Sequence, residues 1–294
     1  MSNMMTAQPR EVDVPYAPPP TNVSTMVYRA ALLAPVCLII GYFVFGLVHI
    51  FSLTFADGIK AYADLFTRRD YLNALIRTHE LSVVSTFICG VLGYPLALYI
   101  NQYEGNKSRL IVLVITPWLV SIVVRSYGWV VILGSTGLVN SLLMQMHLIE
   151  SPVTLIFNSI GIIVGMVHVF LPFMVLSVLA VLGKIDSSVV EASMSLRAGP
   201  LKTFAKVIWP LSLPGVLSGA ILVYLSCTGA VVTPLLLGGI GQNTLGSQIY
   251  VEIFSTFDFA KASTLAVVLV ITSAVIVLPL IIAEKLVIRR QAQS

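Results

Sequence analysis

Six long apolar runs dominate the chain: Ala31–Leu53, Leu81–Ile100, Leu110–Leu133, Ser159–Leu182, Leu211–Leu237 and Ala262–Ala283. Each meets the ~20 residues with which an α-helix crosses the hydrocarbon core of a bilayer. Arg125 is the only formally charged side chain inside them. Lipid offers no partner for backbone N–H and C=O groups, so runs of this length predict helices that close their own hydrogen bonds. The alternating segments of about ten residues that mark a membrane β-barrel are not found in the sequence. The pattern predicts an all-α, polytopic membrane protein with six transmembrane helices.

The connections carry patterns of their own. Tyr62, Leu65, Phe66, Tyr71, Leu72 and Leu75 are spaced for short amphipathic surface helices. The stretch Gly134–Asn158 places Gly137, Asn140 and Pro152 around the apolar patch Leu142–Met146, and is expected to fold partly back onto the bundle. Gly238–Ala260 is too glycine-rich for continuous helix. Gly161/Gly165 and Gly215/Gly219, four residues apart inside runs, let two helix backbones approach closely. Prolines 35, 95, 117, 172, 210, 214, 234 and 279 fall within or at the ends of runs, where each removes a backbone donor and favours a kink.

Composition agrees with lipid as the solvent. The 294 residues are 57% hydrophobic and 10% charged, against about 25% charged in soluble domains. Cys37, Cys89 and Cys227 each lie in an apolar run without paired spacing, and read as small core residues. Basic residues set the orientation. With the N-terminus inside, the inner segments hold Arg10, Arg29, Lys107, Arg109, Lys184, Arg197, Lys202, Lys206, Lys285, Arg289 and Arg290. The outer segments hold Lys60, Arg68, Arg69, Arg77 and Lys261, so this orientation is the expected one. Residues 1–30, with the proline-rich Ala17–Pro20, are expected to form a disordered cytoplasmic tail. Residues 31–286 form the six-helix transmembrane domain, and 287–294 a cytoplasmic C-terminal tail.

One inner connection, 183–210, is far longer than a simple connector and includes EASMSLRAGPLKTF. Asp186 is placed to cap a helix from Ser187 to Leu196, with Val189, Ala192, Ser193 and Leu196 on one face. Gly199 supplies a stop and Pro200 suits the first turn of a second helix. That helix carries Leu201, Phe204, Val207 and Ile208 on one face. Two short amphipathic helices at an angle make a protruding knob suited to a groove on another protein.

The stretch resembles the cytoplasmic coupling loop of ABC-importer permease subunits, whose pattern is Glu-Ala-Ala, three residues, Gly, nine residues, Ile, any residue, Leu-Pro. Glu191, Ala192 and Pro210 match, with Val207 a conservative substitute. Ser193, Arg197 and Trp209 depart from it, and Gly199 is the expected substitute hinge for the glycine replaced by Arg197. From about Leu65 to Leu286 the order of runs is similar to that of spermidine/putrescine-type permeases, as in "GYPLALYI", "PWLVSIVVRSYGW", "GLVNSLL" and "VFLPFMVLSVLAVLGKID". The resemblance implies the ABC type I importer permease fold in the bacterial inner membrane, with both termini cytoplasmic. It further implies a non-catalytic subunit that translocates a polyamine, or a related amine or opine. The implied partners are a second, homologous permease, a cytoplasmic ATPase dimer and a periplasmic solute-binding protein, with membrane lipid around the bundle and no nucleic acid. Glu191, Ala192, Ser193, Leu196, Arg197, Gly199 and Phe204 would then couple to the ATPase.

The sequence has no Gly-x-x-x-x-Gly-Lys-Ser/Thr loop, so this chain is expected to bind no cofactor and to leave ATP and magnesium to the partner ATPase. His79-Glu80 begins like a zinc-protease motif, but Val83 stands where the second histidine belongs. For the substrate path, Arg125 reads either as a gate or carboxylate contact or as a cation snorkelling to the outer headgroups. Trp118, Tyr127 and Trp129 on the same run suit either cation–π binding or an interfacial belt. His49 and His168 read as packed, neutral histidines. The alternative function is a stand-alone secondary transporter or channel. It calls for intramembrane carboxylates or an inverted repeat, and neither is found in the sequence.

Overall fold

A computed structural model describes residues 22–54 and 59–293 of the chain. It divides at Ile50 into two units. The first holds most of α1 (Asn22–Thr54), whose stretch from Val27 has a mean hydropathy of 2.5. Residues 22–30, inside the expected tail of residues 1–30, are therefore helical; residues 1–21 of that tail lie outside the described residues. Cys37 on α1 is exposed, whereas Cys89 and Cys227 are buried, so only the latter two are core residues.

The second unit consists of helices alone among the described residues. They are α2 (Ile59–Thr67), α3 (Arg69–Gln102), α4 (Lys107–Leu119), α5 (Ile122–Leu133), α6 (Leu138–Gln145), α7 (Ser159–Leu182), α8 (Ser187–Ser195), α9 (Pro200–Thr203), α10 (Trp209–Thr228), α11 (Val232–Leu237), α12 (Leu245–Phe254) and α13 (Phe259–Gln293). Six candidate spans result, as the pattern predicted. α7 has the bounds of its apolar run, Ser159–Leu182.

α7 is the central post. Its Ile162, Met166, Met174, Val175, Val178 and Leu182 pack with Leu81, Cys89 and Ala97 of α3 and Val223 and Cys227 of α10 in one buried cluster. Lipid removes the usual hydrophobic incentive for helices to associate, so close packing and small residues must supply it. A Cβ on Gly215 would lie 2.9 Å from the Ser177 carbonyl oxygen, and one on Gly219 2.8 Å from Met174 Sδ. On Gly165 it would run into Leu237 Cδ1. The glycine pairs thus seat α10 and α11 against α7.

Two apolar runs are not single helices. The third breaks at Val120–Ser121, just beyond Pro117, so the candidate span lies at Ile122–Gln145 and not at Leu110–Leu133. Arg125 donates from its guanidinium to the Pro117 carbonyl, satisfying a backbone acceptor at the break. The fifth run ends its helix at Thr228 and resumes in α11, so the candidate span is Pro200–Thr228 and not Leu211–Leu237.

At the end opposite the 183–210 loop, Asn140 organises the return segment. Its amide donates to the carbonyls of Gly134 (2.9 Å) and Val153 (3.0 Å), and its oxygen accepts from the Val153 N–H. Glu252 on α12 joins three helices there, accepting from Tyr71 of α3 (3.0 Å) and pairing with Lys261 of α13 (2.6 Å). Within the membrane, Tyr224 of α10 lies 2.7 Å from His79 Nδ1, and Thr272 of α13 lies 2.9 Å from Nε2. Thr272 spends its own proton on the Val268 carbonyl, so it accepts from Nε2–H and Tyr224 donates to Nδ1. That relay fixes the neutral tautomer and ties α3, α10 and α13.

Candidate functional site: the 183–210 knob

The knob is built by local rules. α7 ends at Gly183, and Asp186 opens α8 by accepting the Ser188 N–H at 2.9 Å. That backbone N–H, with the Ser188 hydroxyl, holds the Asp186 carboxyl below the usual carboxylate range. α8 ends in a Schellman motif: the Ala198 N–H bonds to the Ser193 carbonyl and the Arg197 N–H to the Met194 carbonyl. This motif needs a left-handed residue after the cap, and Arg197 fills it with φ +56°. Gly199 instead has an ordinary φ of −67° and caps α9, with Pro200 next. The bend therefore stays at the position where the resembling family has glycine, and the expected shift to Gly199 does not occur.

The second arm is not a separate short helix. α9 passes through a π turn, Phe204–Ile208, directly into α10. Pro210 explains the widening, because its ring would clash with the Lys206 carbonyl of a regular α-helix. The arms are braced by the Ser193 and Thr203 hydroxyls, 3.0 Å apart.

The expected coupling residues separate into two groups. Glu191, Ala192, Arg197 and Gly199 are exposed on the knob, and Ser193 is half-buried at the brace. Leu196 is 84% exposed, and beside it in sequence stand Met194, 61% exposed, and Leu201, 83% exposed. Phe204 turns the other way. It packs edge-on to Tyr94 at 6.0 Å between centroids and lies 6.5 Å from Trp209, so it anchors the knob to the bundle. Tyr94 in turn lies 5.0 Å from Trp209 and 2.7 Å from the Ser212 hydroxyl. Leu201, expected on the same face as Phe204, stands instead at the tip. Met194 was missed in the sequence because a methionine in a short amphipathic helix carries no mark of which side it faces.

The substrate-path candidates have separate surroundings among the described residues. Trp118 is half-exposed and packs edge-on to Phe173 at 5.8 Å. Tyr127 is 60% exposed. Arg125 is half-buried and engaged with Pro117, while its Nε is buried with no partner among the described residues. The aromatic group that does find a polar partner is Trp129, whose indole donates to His168 Nδ1 at 3.1 Å. Among the described residues no group of His, Cys, Asp or Glu could hold a metal ion.

Comparison with known proteins agrees with this architecture. The spermidine/putrescine transport system permease protein of Haemophilus influenzae is 30% identical over 253 residues, covering 83% of this chain and 88% of that protein. Its Escherichia coli counterpart is 29% identical over 209 residues, covering 71% and 76%. A chain of the bacterial alginate ABC transporter, solved in complex with an alginate pentasaccharide-bound periplasmic protein, superposes with a TM-score of 0.73 at 21% identity, covering 87% of this chain and 94% of its own. The family model of binding-protein-dependent transport system inner membrane components matches residues 22–293. The chain belongs to that family, the inner-membrane permeases of ABC importers.

Proposed function

We propose that this permease imports a small amine-bearing solute, a polyamine or a related amine or opine, delivered by a periplasmic binding protein. The similarity to spermidine/putrescine permeases over most of the chain supports the solute class. The chain is a multi-pass inner-membrane protein and not an enzyme; ATP hydrolysis in this family belongs to separate ATPase subunits. A second permease would complete the path, and the alginate transporter, solved with its periplasmic protein, supports the delivery step. The 183–210 end, to which α13 returns, would face the cytoplasm, as the excess of basic residues favours.

The observation that carries the mechanism is the braced knob, with Glu191 and Ala192 exposed and Leu196 and Leu201 standing out from it. Leu196 stands outside the spans and Leu201 at the first turn of one, and apolar side chains this exposed at the end of the bundle call for a protein partner. The knob's first arm follows α7 through a four-residue turn, residues 183–186, and its second arm leads directly into α10. A push on the tip therefore moves two core helices without an intervening flexible linker. In this reading the chain itself holds no nucleotide and transmits the ATPase motion through Glu191, Ala192, Ser193, Leu196 and Arg197, with Gly199 and Phe204 setting the knob's geometry.

The test is uptake in cells carrying the full transporter. Labelled putrescine, spermidine and an opine are compared with and without unlabelled competitors. Uptake of one of these, abolished by Glu191→Arg with the permease still in the membrane, is the expected result. Unchanged uptake in Glu191→Arg would remove the knob from the mechanism, and transport of none of the three would remove the solute class.

A further inference from the structure

A trough of about 660 Å³ opens between α3, α10 and α13, walled by Val83, Phe87, Val216, Ala220, Ile276 and Leu280. Hydroxyls border it, and all are spent elsewhere. Thr86 donates to the Ser82 carbonyl, Tyr94 bonds with Ser212, and Tyr224 donates to His79. The wall thus presents hydrocarbon alone, and a polar solute would leave its own donors and acceptors unsatisfied there. The trough is no part of a path for amines. It is suited to an acyl chain.

Its end beside the knob has different chemistry. Trp209 lines the trough, and the carbonyl of the next residue, Pro210, accepts the Gln291 side chain at 2.7 Å. This contact places the last turns of α13 against the start of α10. Arg290 lies eleven residues beyond Pro279, another lining residue, and three full helical turns bring it onto the same face. Lys206 precedes Trp209 by about one turn, and Lys285 and Arg289 sit on the intervening stretch of α13. Glu284 is the single acid among these four bases. From mid-membrane outward the order is hydrocarbon, then tryptophan, then cations. A phospholipid with an anionic headgroup has the same order of chemistry: chains, glycerol region, phosphate.

We infer that this trough is a binding site for an anionic phospholipid, with an acyl chain between α3, α10 and α13 and the phosphate at Lys206 and Arg290. The bound chain fills the space lined by Pro95 inside α3 and Pro279 inside α13, so lipid occupancy would hold the spacing of the two spans that flank α10. The site does not depend on which solute is carried.

The experiment uses the assembled transporter in vesicles containing either phosphatidylglycerol or phosphatidylcholine with the same photoreactive acyl chain. After irradiation, the labelled peptides are identified by mass spectrometry. Labelling of the stretches bearing Val216–Ala220 and Ile276–Leu280 is expected, stronger with phosphatidylglycerol. Lys206→Gln and Arg290→Gln should each lower that labelling about five-fold, the loss of one basic contact with an anionic surface, and leave phosphatidylcholine labelling unchanged. Gly90→Leu, whose Cβ would meet nothing closer than Met174 Cε at 3.9 Å, should fill the trough and lower both. Should Gly90→Leu fail to assemble, the two exposed charge variants still decide. The inference is overturned if the trough is unlabelled in the assembled transporter, if both lipids label the unaltered chain equally, or if soluble glycerol phosphate competes the label away. Cross-linking of the trough to a second permease chain would also overturn it.

Discussion

Arg197 shows how a motif can be kept when its usual residue is lost. An αL residue must follow the cap of α8, and a side chain with a Cβ adopts that conformation at a cost of about 1–2 kcal/mol. Glycine at 199 looked like the hinge because glycine is the default αL residue, yet hydrogen bonding at Ala198 and Arg197 fixes the bend two residues earlier. Arg197→Gly is therefore expected to stabilise the knob by about 1 kcal/mol, read as slower proteolysis at the loop. Gly199→Ala should be close to neutral there, because its φ is ordinary and nothing lies within 4 Å of the added Cβ. Glu252 supplies a second residue-scale test. Burial pushes its carboxyl up, but the hydrogen bonds from Lys261, Thr256 and Tyr71 outweigh that and hold it below the usual carboxylate range. A depressed folded-state value gives stability that is present above the ordinary carboxylate range and lost as pH falls through the folded one. The melting temperature in detergent should fall on acidification from pH 5 toward pH 3, and Glu252→Gln should flatten that slope while lowering stability at pH 7. An unchanged slope would mean that Glu252 does not link the three helices in solution.

At the scale of elements, hydrophobic periodicity was enough for α7, whose bounds coincide with its apolar run, and for the count of six spans. It was not enough where backbone chemistry interrupts a run without changing its polarity. The third run stays apolar through Val120–Ser121, and its break depends on Pro117 and on a carbonyl that Arg125 reaches from the next turn. The fifth helix extends into the loop because a π turn absorbs Pro210, a tertiary and local adjustment that hydropathy does not register. The small-residue pairs, by contrast, were legible as close-approach points, and the α7–α10 contact rests on them. Gly215→Leu would force a side chain against the Ser177 carbonyl, a backbone atom that has no rotamer to yield. Overpacking of this kind costs about 1–3 kcal/mol, so lower thermal stability and reduced membrane yield are expected by fluorescence size-exclusion. Normal yield and stability would place the α7–α10 contact elsewhere.

For the molecule as a whole, the proposed role of the knob is to link the membrane bundle to energy supplied by another polypeptide. Its location and its match to the coupling-loop pattern were readable from Glu191, Ala192 and Pro210. The division between tip and anchor was not, because Leu201 and Phe204 have similar hydropathy and only the fold turns one out and the other in. Removing the tip's apolar contact should uncouple the two parts without unfolding either. The most direct measurement is ATP hydrolysis by the full transporter in proteoliposomes, with and without loaded binding protein. The account predicts stimulation by the loaded binding protein in the unaltered transporter, and loss of that stimulation in Leu196→Asp and Leu201→Asp with assembly intact. Solute accumulation by this chain alone, driven by an ion gradient and indifferent to both substitutions, would contradict it.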